Sequence, residues 1–144
     1  MRNDGFMNPI RSLRQSRVEG LLFEFRRWAA TESGIHAVAL IGSYARDTAT
    51  EESDVDLIVV VSLPNIYIRH RQWTSLFGDI DRHQIEDYGA CTSLRVWYAD
   101  GLEVEFGFVA ETWAAAPHDE EARKIASDGM KILFERKPIL SLLV

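Results

Sequence analysis

The stretch from Leu40 to Val61 constrains this chain most: Leu-Ile-Gly-Ser-Tyr-Ala-Arg-Asp-Thr-Ala-Thr-Glu-Glu-Ser-Asp-Val-Asp-Leu-Ile-Val-Val-Val. Ala37–Ile41 is short and apolar, and 54–62 is rich in β-branched residues, so both read as strands. Between them, 43–47 reads as one helical turn and 48–53 as a loop. Asp54 and Asp56 stand at i and i+2, so on a strand both carboxylates leave the same face. Like charges held about 6–7 Å apart by the pleat cost energy unless a cation neutralises them. Hard divalent ions such as Mg²⁺ suit the task, because they favour oxygen ligands and bind through one or two carboxylates plus substrate phosphates.

Around this stretch the pattern is mixed. Asn8-Pro9 is a helix start, with Asn capping and Pro at the first helical position. Val18, Leu21, Leu22, Phe25, Trp28 and Ala29 recur at helical spacing, and Ser33-Gly34 is expected to close that helix. Pro64 begins a second expected helix running to about Phe77, with Ile66, Trp73, Leu76 and Phe77 as its apolar face. Residues 78–89 read as polar and irregular. Two strand-like runs, 93–99 and 102–109, are joined by Asp100-Gly101, a preferred two-residue hairpin turn. In the second run Leu102, Val104, Phe106 and Phe108 face one way, and Glu103, Glu105 and Gly107 the other. A helix over 118–127, a short strand over 131–135 and an apolar tail from Ile139 complete the reading. The expected fold class is α/β (α+β): a mixed sheet with helices packed mainly on one face.

Composition narrows the function. At 144 residues the chain is sized for one domain. No apolar run approaches the ~20 residues that span a bilayer, and the first residues lack the apolar centre of a signal peptide, so the expected location is cytoplasmic with no membrane partner. Cys91 is the single cysteine, which excludes an intramolecular disulfide, and His36, His83 and His118 show no zinc-ligand spacing. A formal charge of −6 argues against sequence-independent nucleic-acid binding, which needs a basic footprint. The mixture Arg69, His70, Arg71 and Trp73 reads as a solvated helix face rather than an RNA contact.

A pair of aspartates is a lean set for two metal ions, and a third carboxylate is expected on a neighbouring strand. Glu103 and Glu105 both qualify, and periodicity alone does not choose between them. Gly42 and Ser43 can present backbone N–H groups and a hydroxyl to phosphate oxygens. Arg46 can reach phosphate or pair with Asp47, Glu51 or Glu52. Ser53 is placed to hydrogen-bond loop backbone before Asp54.

Gly42-Ser43, Arg46, Ser53, Asp54 and Asp56 together resemble the signature Gly-Ser-x-Ala-Arg-Gly…Ser-Asp-x-Asp-Leu of the DNA polymerase β-like nucleotidyltransferase superfamily, especially its small bacterial members. The resemblance implies one nucleotidyltransferase-like domain over 1–144, with an N-terminal helix over about 9–32, a catalytic core over about 37–109 and a C-terminal helix and strand over about 117–144. It implies Asp54, Asp56 and Glu105 as catalytic, metal-holding residues, Glu105 being favoured over Glu103 by its hydrophobic–acid–hydrophobic setting a few residues past the Asp-Gly turn, with Gly107 leaving room for a ligand. Gly42, Ser43, Arg46 and Ser53 would bind the nucleotide, and Mg²⁺ or Mn²⁺ would be the cofactor. The implied donor is a nucleoside triphosphate, with ATP favoured. The acceptor would be a small molecule, as in the aminoglycoside and lincosamide adenylyltransferases, or a protein, as with antitoxins that modify a helical HEPN-type partner. A homodimer is a further expected partner arrangement, and a non-catalytic nucleotide- or partner-binding module is the alternative to an enzyme. One departure stands out: Asp47 occupies the position where the family usually has glycine.

Overall fold

The computed structural model describes residues 9–115 and 120–144. Asn8, Pro117 and His118, to which sequence reasoning gave capping and helical roles, lie outside the described residues. The chain begins with helix α1 (Pro9–Thr31), then strand β1 (Ile35–Ile41), the single turn α2 (Gly42–Ala45) and strand β2 (Val55–Val61). Helix α3 (Pro64–Arg69), a 3₁₀ segment (Gln72–Phe77) and strands β3 (Ile80–Asp87), β4 (Cys91–Tyr98) and β5 (Glu103–Ala110) follow. A 3₁₀ turn (Glu111–Ala114), helix α4 (Glu120–Asp128), strand β6 (Lys131–Glu135) and a last 3₁₀ turn (Leu140–Leu142) close the fold. No helix among the described residues is long and apolar enough to cross a membrane.

The six strands form one mixed sheet in the order β3-β4-β5-β2-β1-β6. β2 and β5 lie parallel and the other neighbours antiparallel. Most helical mass packs on one face, as the fold class requires. There Phe25 and Trp28 of α1, Tyr67 of α3, Trp73 and Phe77 of the 3₁₀ segment, and Phe106 and Phe108 of β5 form a contiguous aromatic core, with Trp28 stacked on Trp73 at 5.2 Å. A smaller core on the opposite face gathers Ala39, Ile58, Val109, Trp113, Ala122 and Leu140 beneath α4.

Several elements differ from the sequence reading for identifiable reasons. Residues 80–87 are not irregular but form β3, an edge strand held by pairing with β4 instead of by apolar content. The helix expected over 64–77 breaks at His70–Arg71, which changes the buried set: Tyr67 and Ile68 join Trp73 and Phe77 inside, while Ile66 and Leu76 are exposed. Trp73 is therefore core, and its Nε1 donates to the Tyr67 carbonyl at 3.0 Å. Gly34 does not take the left-handed conformation of a helix-terminating glycine. Instead the Arg136 guanidinium donates to the carbonyls of Ala29, Ala30 and Glu32 at the end of α1, and to that of Ile35.

The hairpin is also one residue longer than read. Tyr98 pairs with Leu102 across a three-residue loop, with Gly101 left-handed at φ +92° and Asp100 Oδ1 accepting the Leu102 N–H. That register sets Arg95 opposite Glu105 and Trp97 opposite Glu103, so the polar positions of both strands share a face. A two-residue loop would have set polar positions against apolar ones.

Candidate active site

β2 and β5 bring the acids together. Their parallel register puts Asp56 beside Glu105, while Asp54 stands just before β2 on the same face. Asp54, Asp56 and Glu105 each offer a carboxylate oxygen within 4.8 Å of the others. Glu103 is directed differently: it forms a close ion pair with Arg95. Geometry thus separates the two glutamates that periodicity leaves equivalent.

The β1–α2 turn closes over this group. Gly42 has φ +75°, and a Cβ built on it would fall 2.4 Å from Asp56 Oδ2. Only glycine meets both demands, the left-handed backbone and the close approach. The next carbonyls hold the loop: Gly42 O accepts the Arg46 N–H at 3.2 Å and Ser43 O the Thr48 N–H at 2.9 Å. Asp47, the departure from the family signature, has φ 59°, which aspartate tolerates better than most residues, so the loop keeps the shape a glycine would give it. Its carboxylate pairs with Lys131 at 3.1 Å.

Ser53 does what its position suggested: its Oγ accepts the Thr50 N–H at 2.8 Å and fixes the loop before Asp54. Arg46 is exposed, makes no ion pair among the described residues, and lies against Gly129 at the foot of β6. Gly107 makes less room for a ligand than expected, because a Cβ there would lie 3.0 Å from Cys91 Sγ and 3.2 Å from the Leu57 carbonyl oxygen. The space is taken by the thiol of the next strand.

Burial pushes the Asp56 carboxyl up to about 7, with the charges of Asp54 and Glu105 and a hydrogen bond to Glu105 adding to the effect and Arg95 opposing it. Glu105 is raised as well, first by burial. Burial also pushes the Cys91 thiol up to about 11, which makes it a poor nucleophile. The acids want a cation. A hard divalent ion fits the donors: all are carboxylates and they converge.

Sequence reasoning missed three contributors on β3, β4 and the turn between them. Arg95 reaches Asp54 at 3.0 Å, Glu86 at 3.2 Å and Glu105 at 3.2 Å, besides Glu103. Tyr88 donates to Glu86 at 3.0 Å and to Glu105 at 3.4 Å. The alternation Ser93, Arg95, Trp97 was the available signal, since it sets Arg95 on the polar face of its strand. A cavity of about 160 Å³ opens beside Asp56 and Glu105, walled by Tyr88, Ser93 and Cys91 and roofed by Ile125 of α4. A larger one, about 390 Å³, lies between α1, the Asp47 loop and β6 and is lined by none of the three acids.

The sequence pattern of the nucleotidyltransferase domain matches residues 23–126. The chain belongs to that family. Among solved structures, this nucleotidyltransferase-domain chain is similar to an aminoglycoside 6-adenyltransferase from Bacillus subtilis, with a TM-score of 0.51 and 17% sequence identity. That likeness covers 67% of this chain and only 35% of the other, so it supports the shared core fold. Comparison with curated proteins finds no significant match.

Proposed function

We propose that this nucleotidyltransferase-domain protein is a metal-dependent enzyme that moves a nucleoside monophosphate, AMP from ATP as the favoured case, onto a hydroxyl of a small molecule or partner protein. The observation that carries the reading is the convergence of Asp54, Asp56 and Glu105 beside a glycine turn whose backbone packs directly against the Asp56 carboxylate. Asp54, Asp56 and Glu105 would hold Mg²⁺ or Mn²⁺. Such ions supply charge stabilisation to the attacking and leaving oxygens of an in-line displacement.

The chain's own residues divide the remaining work. Gly42 and Ser43 present backbone N–H groups and a hydroxyl to the triphosphate, Arg46 lies one turn on to meet its charge, and Ser53 keeps the loop and Asp54 in place. An acceptor hydroxyl in the cavity beside Glu105 attacks the α-phosphorus. The bond from that phosphorus to the bridging oxygen breaks, pyrophosphate carries away the electron pair, and the hydroxyl proton passes to the Glu105 carboxylate. The acceptor would enter over β4 and β5, where Tyr88 and Ser93 offer hydroxyls.

The test is transfer of label from α-labelled ATP, CTP, GTP or UTP in Mg²⁺, offering aminoglycosides and lysate proteins as acceptors. Label moved by the wild type and reduced by at least a hundredfold in Asp56→Asn is the expected result. Nucleotide binding without transfer to any acceptor would favour the binding-module reading instead. One observation favours that second reading: Arg95 already engages two of the three acids.

A further inference from the structure

Arg95 is the only cation among the described residues that reaches the acid cluster, and its surroundings are unusual. Its side chain is 17% exposed and sits at the middle of β4, flanked by β3 and β5. It meets four carboxylates: Asp54, Glu86, Glu103 and Glu105. Two of these, Asp54 and Glu105, belong to the group that would hold the metal; the other two lie on the neighbouring strands and do not. One guanidinium nitrogen serves both sets, because the N–H group that reaches Asp54 Oδ2 also reaches Glu103 Oε2. A divalent ion bound by Asp54 and Glu105 would stand a few ångströms from this positive charge.

We propose that Arg95 is a resident counter-cation that a divalent ion must displace from Asp54 and Glu105, with Glu86 and Glu103 receiving the guanidinium when it withdraws. The inference rests on the metal-binding reading of the three acids given above. Arg95 is a positioning residue in this role: it acts on the reaction through the carboxylates. Without metal it keeps five acids in one small volume from repelling one another. Once metal is bound, its hold on Glu86 and Glu103 keeps those two carboxylates out of the coordination sphere. Glu86 is suited to the second duty, because Tyr88 and Arg95 both donate to its carboxylate and fix it in place. Five donors in a planar fork let arginine change partners in this way while staying charged; a lysine ammonium offers one point of contact.

The experiment titrates Mn²⁺ into the metal-free protein and reads free ion by electron paramagnetic resonance, with Asp56→Asn as the control for binding at this site. Arg95→Gln is expected to bind Mn²⁺ at least about tenfold more tightly than the wild type, because a unit charge a few ångströms from a divalent ion repels it by that much even at the dielectric of bulk water. Arg95→Lys is expected to return most of that difference. Glu103→Gln frees the guanidinium to press on Asp54 and Glu105, so it is expected to weaken Mn²⁺ severalfold, and it decides the matter alone if Arg95→Gln does not fold. Unchanged or weaker Mn²⁺ binding in folded Arg95→Gln, or unchanged binding in Glu103→Gln, overturns the inference while leaving the metal site intact. Absence of specific Mn²⁺ binding in the wild type and in Arg95→Gln alike overturns the metal-site reading itself, and the inference with it.

Discussion

Two arginines at opposite corners of the sheet each collect four oxygen partners, and they do different things with them. Arg136, just past β6, donates to backbone carbonyls of Ala29, Ala30, Glu32 and Ile35. Arg95, in β4, meets the carboxylates of Asp54, Glu86, Glu103 and Glu105. Carbonyls are neutral, fixed by the end of α1, and have no proton or metal to exchange. Carboxylates titrate and bind ions. The first corner is therefore a staple whose strength is constant, and the second is a contact whose strength depends on what else the acids hold.

The largest expected contrast is in pH. At the site corner, Asp56 is raised from its ordinary 3.8 to about 7 by burial and by its acidic neighbours. The folded protein then binds more protons than the unfolded chain between those values, so this group's stabilisation is full at the acid end and is lost as pH rises through about 7. At the other corner Glu135 accepts the N–H groups of Ile139 and Ser141, and these hold its carboxyl below the ordinary value against the opposing effect of burial. Its stabilisation is present above pH 4.5 and lost on acidification. Denaturation of chelated protein from about pH 2.5 to 8 should therefore show two opposite slopes, one above about pH 4 removed by Asp56→Asn and one below pH 4.5 removed by Glu135→Gln. Saturating Mg²⁺ should abolish the first slope and leave the second; a slope at Asp56 that survives metal would break the comparison.

Next in size is the staple. Replacing Arg136 with Met removes charged hydrogen bonds to the end of α1 and should cost about 2 kcal/mol of unfolding free energy. The loss should be the same in chelator and in Mg²⁺, as read by urea denaturation. A loss that depends on metal would mean that α1 and the site are coupled.

What the sequence reveals at the two corners follows from how local each is. Gly42, Asp54 and Asp56 lie within one short stretch, so turn, spacing and strand period expose them together. Asp47 could be accepted at a glycine position for the same reason, because φ at one residue is a local matter. Glu105 needed one long-range fact, the register of β5 beside β2; strand alternation set it on the polar side together with Glu103, and only the family resemblance favoured it over Glu103. Arg95 needed two: the hairpin register and the presence of β3, whose polar sequence reads as loop because an edge strand is held by backbone pairing. Arg136 meets carbonyls more than a hundred residues back in sequence. Carbonyls leave no compositional trace, and the nearer Ser33-Gly34 pair offered an apparently sufficient helix end.

A smaller effect tests the turn. Ala at position 42 must adopt positive φ, at roughly 1 kcal/mol, and its methyl group must push the Asp56 carboxylate aside. Gly42→Ala should lose about 1–2 kcal/mol of stability in chelator. It should also weaken Mn²⁺ binding at least tenfold, as followed by electron paramagnetic resonance. Undiminished Mn²⁺ affinity would show that Asp56 has another position from which to bind the ion, and the convergence of the three acids would lose its weight.

The smallest expected effect joins the corners. β1 runs from Ile35, whose carbonyl Arg136 holds, to Ile41, which leads into the Gly42 turn over Asp56. A stiff strand could carry strain from one arginine to the other. However, β4 and β6 are separated by three strands, roughly 19 Å at ordinary strand spacing, and a close-packed apolar core fills the interval. Changes that far apart with no shared partner add to within about 0.5 kcal/mol. The double variant Arg95→Gln with Arg136→Met should therefore lose the sum of the two single losses in chelator. In Mg²⁺ the sum should shrink by what the metal returns to the Arg95 variant alone, because the ion restores charge balance among carboxylates and offers nothing to a helix end. Coupling well above 0.5 kcal/mol would make the two corners a single mechanical unit, with β1 as the element through which helix α1 senses the state of the acids.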